Sequence, residues 1–370
     1  MISDPDSFVN LALDTCDKQK SRIVKTQGAR LVETLCDNVD GAVSFLTLFC
    51  CQAVALAFNP ATGSIASIAA VQESFYPAEY QMYTGSAFLN AEPEIVAETC
   101  LVALTAISYI LPRRADLVPV FEDSLAMNID RLLAPGDNPL SVLLRSRMSL
   151  LLGYYADMIF PKYESAFVKV INFLVGSLAL TGNQKAVAMQ SADTLNTIIS
   201  DKDLVPRLEP YLPALMPVMN DCTGKVHNKL YFSFLLDFVK SYAEAIGEDV
   251  VPFVVSLVAR VLSELKACHE KGEKNNLVIN KCWNVLRLIL ENDAFMPRYA
   301  PAFEKALQPL FEFMTDPSRV EFEDDIVLSM KSFVRKTGAV SDVMWTLFPY
   351  LQAVFEKNKH TFGNLLDTVN

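Results

Sequence analysis

Val118-Pro119-Val120-Phe121, Phe160-Pro161-Lys162-Tyr163, Val205-Pro206-Arg207-Leu208, Val251-Pro252-Phe253-Val254, Met296-Pro297-Arg298-Tyr299 and Phe348-Pro349-Tyr350-Leu351 are versions of one pattern. In each, an apolar residue precedes proline and a bulky apolar side chain follows it. The successive prolines stand 42, 45, 46, 45 and 52 residues apart. Proline suits the first turn of a helix, where its missing N–H costs nothing and its fixed φ is already helical. Recurrence at about 45 residues is the sequence mark of stacked helix pairs of the HEAT or armadillo type. The expected fold is therefore all-α: a HEAT-repeat solenoid, a right-handed superhelix of antiparallel helix pairs.

The 370 residues exceed what one hydrophobic core usually serves. A solenoid avoids that limit because each repeat packs only on its neighbours. An apolar fraction of 51% against 20% charged residues describes a folded chain. No period-two alternation or hairpin signal interrupts the helical reading.

Working outward from the prolines, the spacing predicts helices over 94–110, 116–133, 161–180, 184–199, 204–219, 226–245, 249–266, 277–290, 297–314, 322–336 and 341–356. A tail helix is expected over 362–369. Leu144, Met148, Leu151, Leu152 and Tyr155 form one helical stripe after the stop-and-restart linker Ala134 to Pro139. Residues 91–370 read as about six helix pairs. Residues 1–90 read as an irregular helical segment: a short helix over 4–14, a hairpin of 22–38 and 41–58 turning at Asp40-Gly41, and a broken signal over 65–83. Pro139, Leu144-Arg145 and Gly153 resemble the HEAT pattern of proline, apolar-Arg step and later small residue. In the next pair Val187-Ala188 and Ser191-Ala192 keep the apolar part and lose the Arg. HEAT is favoured over armadillo, which carries a third helix.

The net charge of −11 argues against direct nucleic-acid binding, which needs a basic face. It suits either basic protein partners or simple solubility. Eight cysteines are scattered without a CxxC pair, and no Asn-x-Ser/Thr sequon occurs. Both features point to free thiols in a reducing compartment. The N-terminus lacks a basic-then-apolar pattern, so no signal peptide is expected. Gly41 to Gln72 contains no charge. Gln52 interrupts it and Asn59-Pro60 ends its apolar part, so a buried solenoid helix is expected rather than a membrane span.

Catalytic chemistry has little to stand on. His227, His269 and His360 are the three histidines, and Cys222 to His227 is a C-x4-H spacing without a second ligand pair. No nucleophile elbow, phosphate loop or dinucleotide fingerprint occurs. The segment 221–225 reads as a turn before a helix. No enzyme activity, cofactor or metal is expected. The candidate partner-binding residues are acidic: Glu321, Glu323, Asp324 and Asp325 at a helix start, and Glu248 and Asp249 before Pro252. Such residues stabilise a helix N-terminus or receive Lys and Arg of a partner. Trp283 and Trp345 are expected to pack in the core.

The last fifty residues carry a further likeness. Glu321 to Ile326, Val343-Met344-Trp345, Phe348-Pro349, Val354-Phe355-Glu356, Phe362 and Leu365-Leu366-Asp367 follow one another in an order that resembles importins seven and eight of the karyopherin-β family. Upstream, 144–160 and 186–219 are similar to the central HEAT repeats of that branch. The resemblance implies a nuclear transport receptor that carries basic protein cargo, meets Phe-Gly nucleoporins and answers to the Ran GTPase. It also implies location in cytoplasm, nucleus and nuclear pore. Family members are usually much longer, and the N-terminal repeats that hold their main Ran surface have no evident counterpart here. Their acidic C-terminal stretch is also missing. The chain thus resembles the middle of a receptor, and a HEAT scaffold subunit outside transport is the alternative.

Overall fold

A computed structural model describes residues 24–39, 41–57, 93–136, 138–159, 164–226, 228–246, 276–291 and 323–342, with isolated residues between 260 and 270 and at 345 and 356. The fold is all-α: among the described residues there is no strand. The longer helices are α1 (Val24–Asn38), α2 (Ala42–Ala57), α3 (Pro93–Ala106), α4 (Val118–Leu132), α5 (Pro139–Tyr154), α6 (Glu164–Ser177), α7 (Lys185–Ser200), α8 (Leu212–Lys225), α9 (Lys229–Ile246), α10 (Asn276–Glu291) and α11 (Glu323–Thr337). The chain divides into two compact units, Met1–Arg207 and Leu208–Asn370.

In the first unit α1, α3, α5 and α7 pack side by side in succession, each on the next of the set. Helices α2, α4 and α6 form the companion layer, with α2 lying against both α3 and α4. This alternation of paired helices, each touching only near neighbours, is what a solenoid requires. In the second unit α9, α10 and α11 succeed one another in the same way, and α8 packs on α9.

Local chemistry sets the helix starts. Asn138 caps α5 by accepting the backbone N–H of Ser141 at 2.7 Å, and Pro139 follows at the first turn. Pro119 sits in the first turn of α4. The turn between α1 and α2 needs Gly41, whose φ of +83° favours glycine. The stripe Leu144, Met148, Leu151, Leu152 and Tyr155 is buried throughout. Each such aliphatic side chain contributes roughly 1.5–3 kcal/mol. Helix α2 also buries Val43, Thr47, Cys50, Cys51 and Val54 against its neighbours. No helix among the described residues is long and apolar enough to cross a membrane.

Polar bonds between helices set their register. The ion pair between Glu98 of α3 and Arg147 of α5 is 3.1 Å long, with both side chains 6% exposed. The Tyr155 hydroxyl donates to the Leu104 carbonyl at 2.6 Å, and the Thr194 hydroxyl of α7 donates to the Ser149 carbonyl of α5 at 2.7 Å. Arg145 donates to the Gly136 carbonyl at 2.7 Å and to Gln184 Oε1 at 3.2 Å, so the Arg of the HEAT-like step joins the linker before α5 to the residue before α7. Where that step loses its Arg, Val187, Ala188, Ser191 and Ala192 are all buried in α7.

Three expectations need correction. The helix expected over 204–219 is broken into a turn at Val205–Leu208, a 3-10 turn at Glu209–Tyr211 and then α8. Pro206, Pro210 and Pro213 each restart the helix, because none can donate to a preceding carbonyl. The segment 221–225 is the last turn of α8, not a turn before the next helix. Thr223 donates to the Met219 carbonyl at 2.6 Å, and Lys225 pairs with Asp221 one turn back at 2.7 Å. Finally, Trp283 is buried as expected, but Trp345 is 52% exposed. Its large amphipathic ring can lie across a surface without full burial. The expected helices over 4–14, 297–314 and 362–369, the broken stretch 65–83, Pro161, Pro252, Pro297 and Pro349 lie outside the described residues.

Candidate partner-binding surface

Among the described residues, helix α4 presents an outward-facing stripe of mixed acidic and apolar side chains. Its inner face buries Phe121, Leu125, Ile129 and Leu132. The Phe121 ring lies 4.5 Å from the Tyr155 ring, centroid to centroid. Ser124 donates to the Cys51 carbonyl at 3.3 Å, and Asn128 donates back to the Ser124 carbonyl at 2.8 Å. These contacts fix the rotation of the helix, and the rotation turns Val120, Asp123, Met127 and Asp130 outward. Their spacing of three, four and three residues puts them on one face. Asp123 and Asp130 are exposed, Val120 is exposed, and Met127 is 74% exposed.

The stripe therefore alternates apolar and acidic side chains. Lys169 of α6 reaches Asp130 at 2.6 Å, with both groups largely in water. Exposed pairs of this kind contribute little, so a competing cation can exchange for the lysine. Just before the helix, Arg114 donates through Nε and Nη2 to the two oxygens of Asp116 at 3.0 and 2.7 Å. That fork holds the Asp116 carboxyl below its usual range and Arg114 above its own.

The residues expected from sequence to meet a partner all belong to the second unit. Glu323, Asp324 and Asp325 occupy the first turn of α11, as the acidic helix start predicts. Their side chains, together with Glu321, Glu248 and Asp249, lie outside the described residues. His227, His269 and His360 lie outside them as well. Cys222 is buried in α8, and burial, aided by Asp221 and opposed by Lys225, pushes its thiol up to about 11. Among the described residues no group of three or more His, Cys, Asp or Glu is placed to hold a metal ion.

The α4 stripe is not an acidic run, so charge clustering does not mark it. Its signal was available in periodicity: Asp123 and Asp130 stand seven residues apart, opposite the apolar positions 121, 125, 129 and 132. No protein-family model matches this chain, and no curated protein matches it.

Proposed function

We propose that this chain is a nuclear transport receptor, or a segment of one, that binds Lys- and Arg-rich protein cargo on an acidic HEAT-repeat surface. The observation that carries the reading is the outer stripe of α4. Two carboxylates two turns apart, flanked by Val120 and Met127, complement a segment that alternates basic and apolar residues. The succession of helix pairs supports it, since stacked pairs offer long open faces instead of one enclosed pocket. The overall charge of −11 favours association with cations over phosphates. Response to Ran and contact with Phe-Gly nucleoporins follow from the resemblance of residues 321–370 to importins seven and eight.

Fluorescence anisotropy with a labelled Lys/Arg-rich cargo peptide tests the proposal, with and without GTP-loaded Ran. Binding should weaken as salt rises, and Asp123→Lys with Asp130→Lys should weaken it by roughly tenfold. Ran–GTP should release the cargo. Absence of peptide binding at low salt defeats the reading. Salt-sensitive binding that ignores Ran supports the scaffold alternative instead.

A further inference from the structure

Among the described residues, helix α1 ends the row formed by α1, α3, α5 and α7, and its outer side is apolar. Leu31 is 60% exposed and Leu35 46%. Val39, whose N–H donates to the Leu35 carbonyl at 2.8 Å, continues the line and is 50% exposed. The three stand four residues apart and so share one stripe. Gly28 is exposed on the same stripe with open space beside it, so another backbone can approach closely there. On the opposite side Ala29, Val32, Glu33 and Cys36 are half-buried. The Tyr109 hydroxyl donates to Asp37 at 2.8 Å, which helps fix the rotation of α1 against α3.

The end helix of a stacked array normally carries a polar outer face. Here the stripe instead continues the series of interfaces α5–α7, α3–α5 and α1–α3, as if one more helix belonged on it. We propose that residues 4–14 of this chain fold back as a helix onto the Leu31, Leu35 and Val39 stripe and cap the array. That segment lies outside the described residues, and its sequence supplies the fit. Asp4-Pro5 is a cap followed by a first-turn proline. Phe8, Leu11 and Ala12 fall at i, i+3 and i+4, flanked by Val9 and Leu13, while Ser7, Asn10 and Asp14 share the other side.

Length and tether agree with this occupant. A helix over 4–14 is about 16 Å long, and Leu31 to Val39 spans about 12 Å. Residues 15–23, mostly polar, can extend about 30 Å, whereas Val24 to Val39 covers about 22 Å, so every part of the stripe is within reach. A tethered segment meets its site at an effective concentration in the millimolar range, so a few apolar contacts suffice. A second copy of the chain lacks that advantage, and three side chains fall well short of the roughly 800 Å² per partner of a stable interface.

The test places p-benzoylphenylalanine at Phe8 in the full chain, irradiates it in dilute solution and maps the crosslinked peptides by mass spectrometry. Mixing isotope-labelled with unlabelled chains separates links within a molecule from links between molecules. The expected result is a link from position 8 to residues 28–39 of the same chain. Leu31→Asp with Leu35→Asp should lower its yield roughly tenfold and raise hydrogen exchange over residues 8–14. Both leucines are exposed, so the circular dichroism of the double variant should match the parent. Hydrogen exchange compared between the unlabelled parent and the double variant decides the matter even if the photoreactive group disturbs the segment. A main link to another part of the chain, a link between chains, or equal exchange over 8–14 in parent and double variant overturns the proposal.

Discussion

At the residue scale, Glu98 and Arg147 form a buried ion pair in the first unit. Removing one member breaks a buried ion pair, a loss of about 3–5 kcal/mol. Arg147→Ala should therefore destabilise sharply in urea unfolding followed by circular dichroism. The double replacement Glu98→Leu with Arg147→Met should recover much of that loss, because both charges of the pair are then gone. A double variant no more stable than Arg147→Ala would show that the pair does not act through its charges. The thiols give a pH prediction. Burial pushes Cys51 up to about 11, and Cys222 likewise to about 11. Their folded forms hold protons that the unfolded chain releases near 8.5. Stability from these groups is thus complete below that value and is lost as pH rises through about 11. Melting temperature should fall over this window, and Cys51→Ala should make the fall shallower. Little of this was readable beforehand. Glu98 and Arg147 are 49 residues apart, and nothing local marks them as partners.

At the element scale, caps and prolines govern where helices begin, and they explain both what the sequence disclosed and what it concealed. Asn138-Pro139 is unambiguous, and α5 starts there. Asn138→Ala should cost about 1 kcal/mol by orphaning the Ser141 N–H, measurable as a lower unfolding midpoint. The stretch from Val205 to Pro217 contains four prolines, each a legitimate helix start. Competition among them is settled by burial of Leu208, Leu212, Leu215 and Met216, which depends on tertiary packing. Pro217 lies inside α8, where it cannot donate to the Pro213 carbonyl. It is exposed, so replacement disturbs no core. Pro217→Ala should stabilise the protein by roughly 1–2 kcal/mol, the helix gain exceeding the added freedom of the unfolded chain. An unchanged or lower denaturation midpoint would refute that balance. The α5 stripe was legible because a 3.6-residue period needs no distant information. The outward stripe of α4 was equally periodic but mixed two residue classes, which hides it from an apolar count.

At the scale of the whole molecule, order along the chain becomes order in space. Within the first unit α3 touches α2 and α5, and α5 touches α3 and α7. Stability in such an array is close to a sum of repeats and nearest-neighbour interfaces. Arg147→Ala should therefore raise hydrogen exchange most in α3 and α5, less in α1, α2 and α7, and least in α6. Mass spectrometry of the exchanged peptides measures this gradient, and uniform deprotection of residues 24–200 would contradict it. Of the recurring prolines, Pro119 opens α4 and Pro206 opens the short turn Val205–Leu208, while the other four lie outside the described residues. The surface a partner meets depends on which side each helix turns outward, and that is decided by contacts such as Phe121 with Tyr155.

The carboxylate of Glu98 and the guanidinium of Arg147 belong to successive blocks of the array, and this gives the blocks a grammar. Deleting or shuffling one block would separate the two charges of this buried pair. Recombination across this joint can yield viable descendants only when both ions travel together or both are replaced. The first unit is built of repeating helix pairs, yet at this seam the pairs have a fixed reading order.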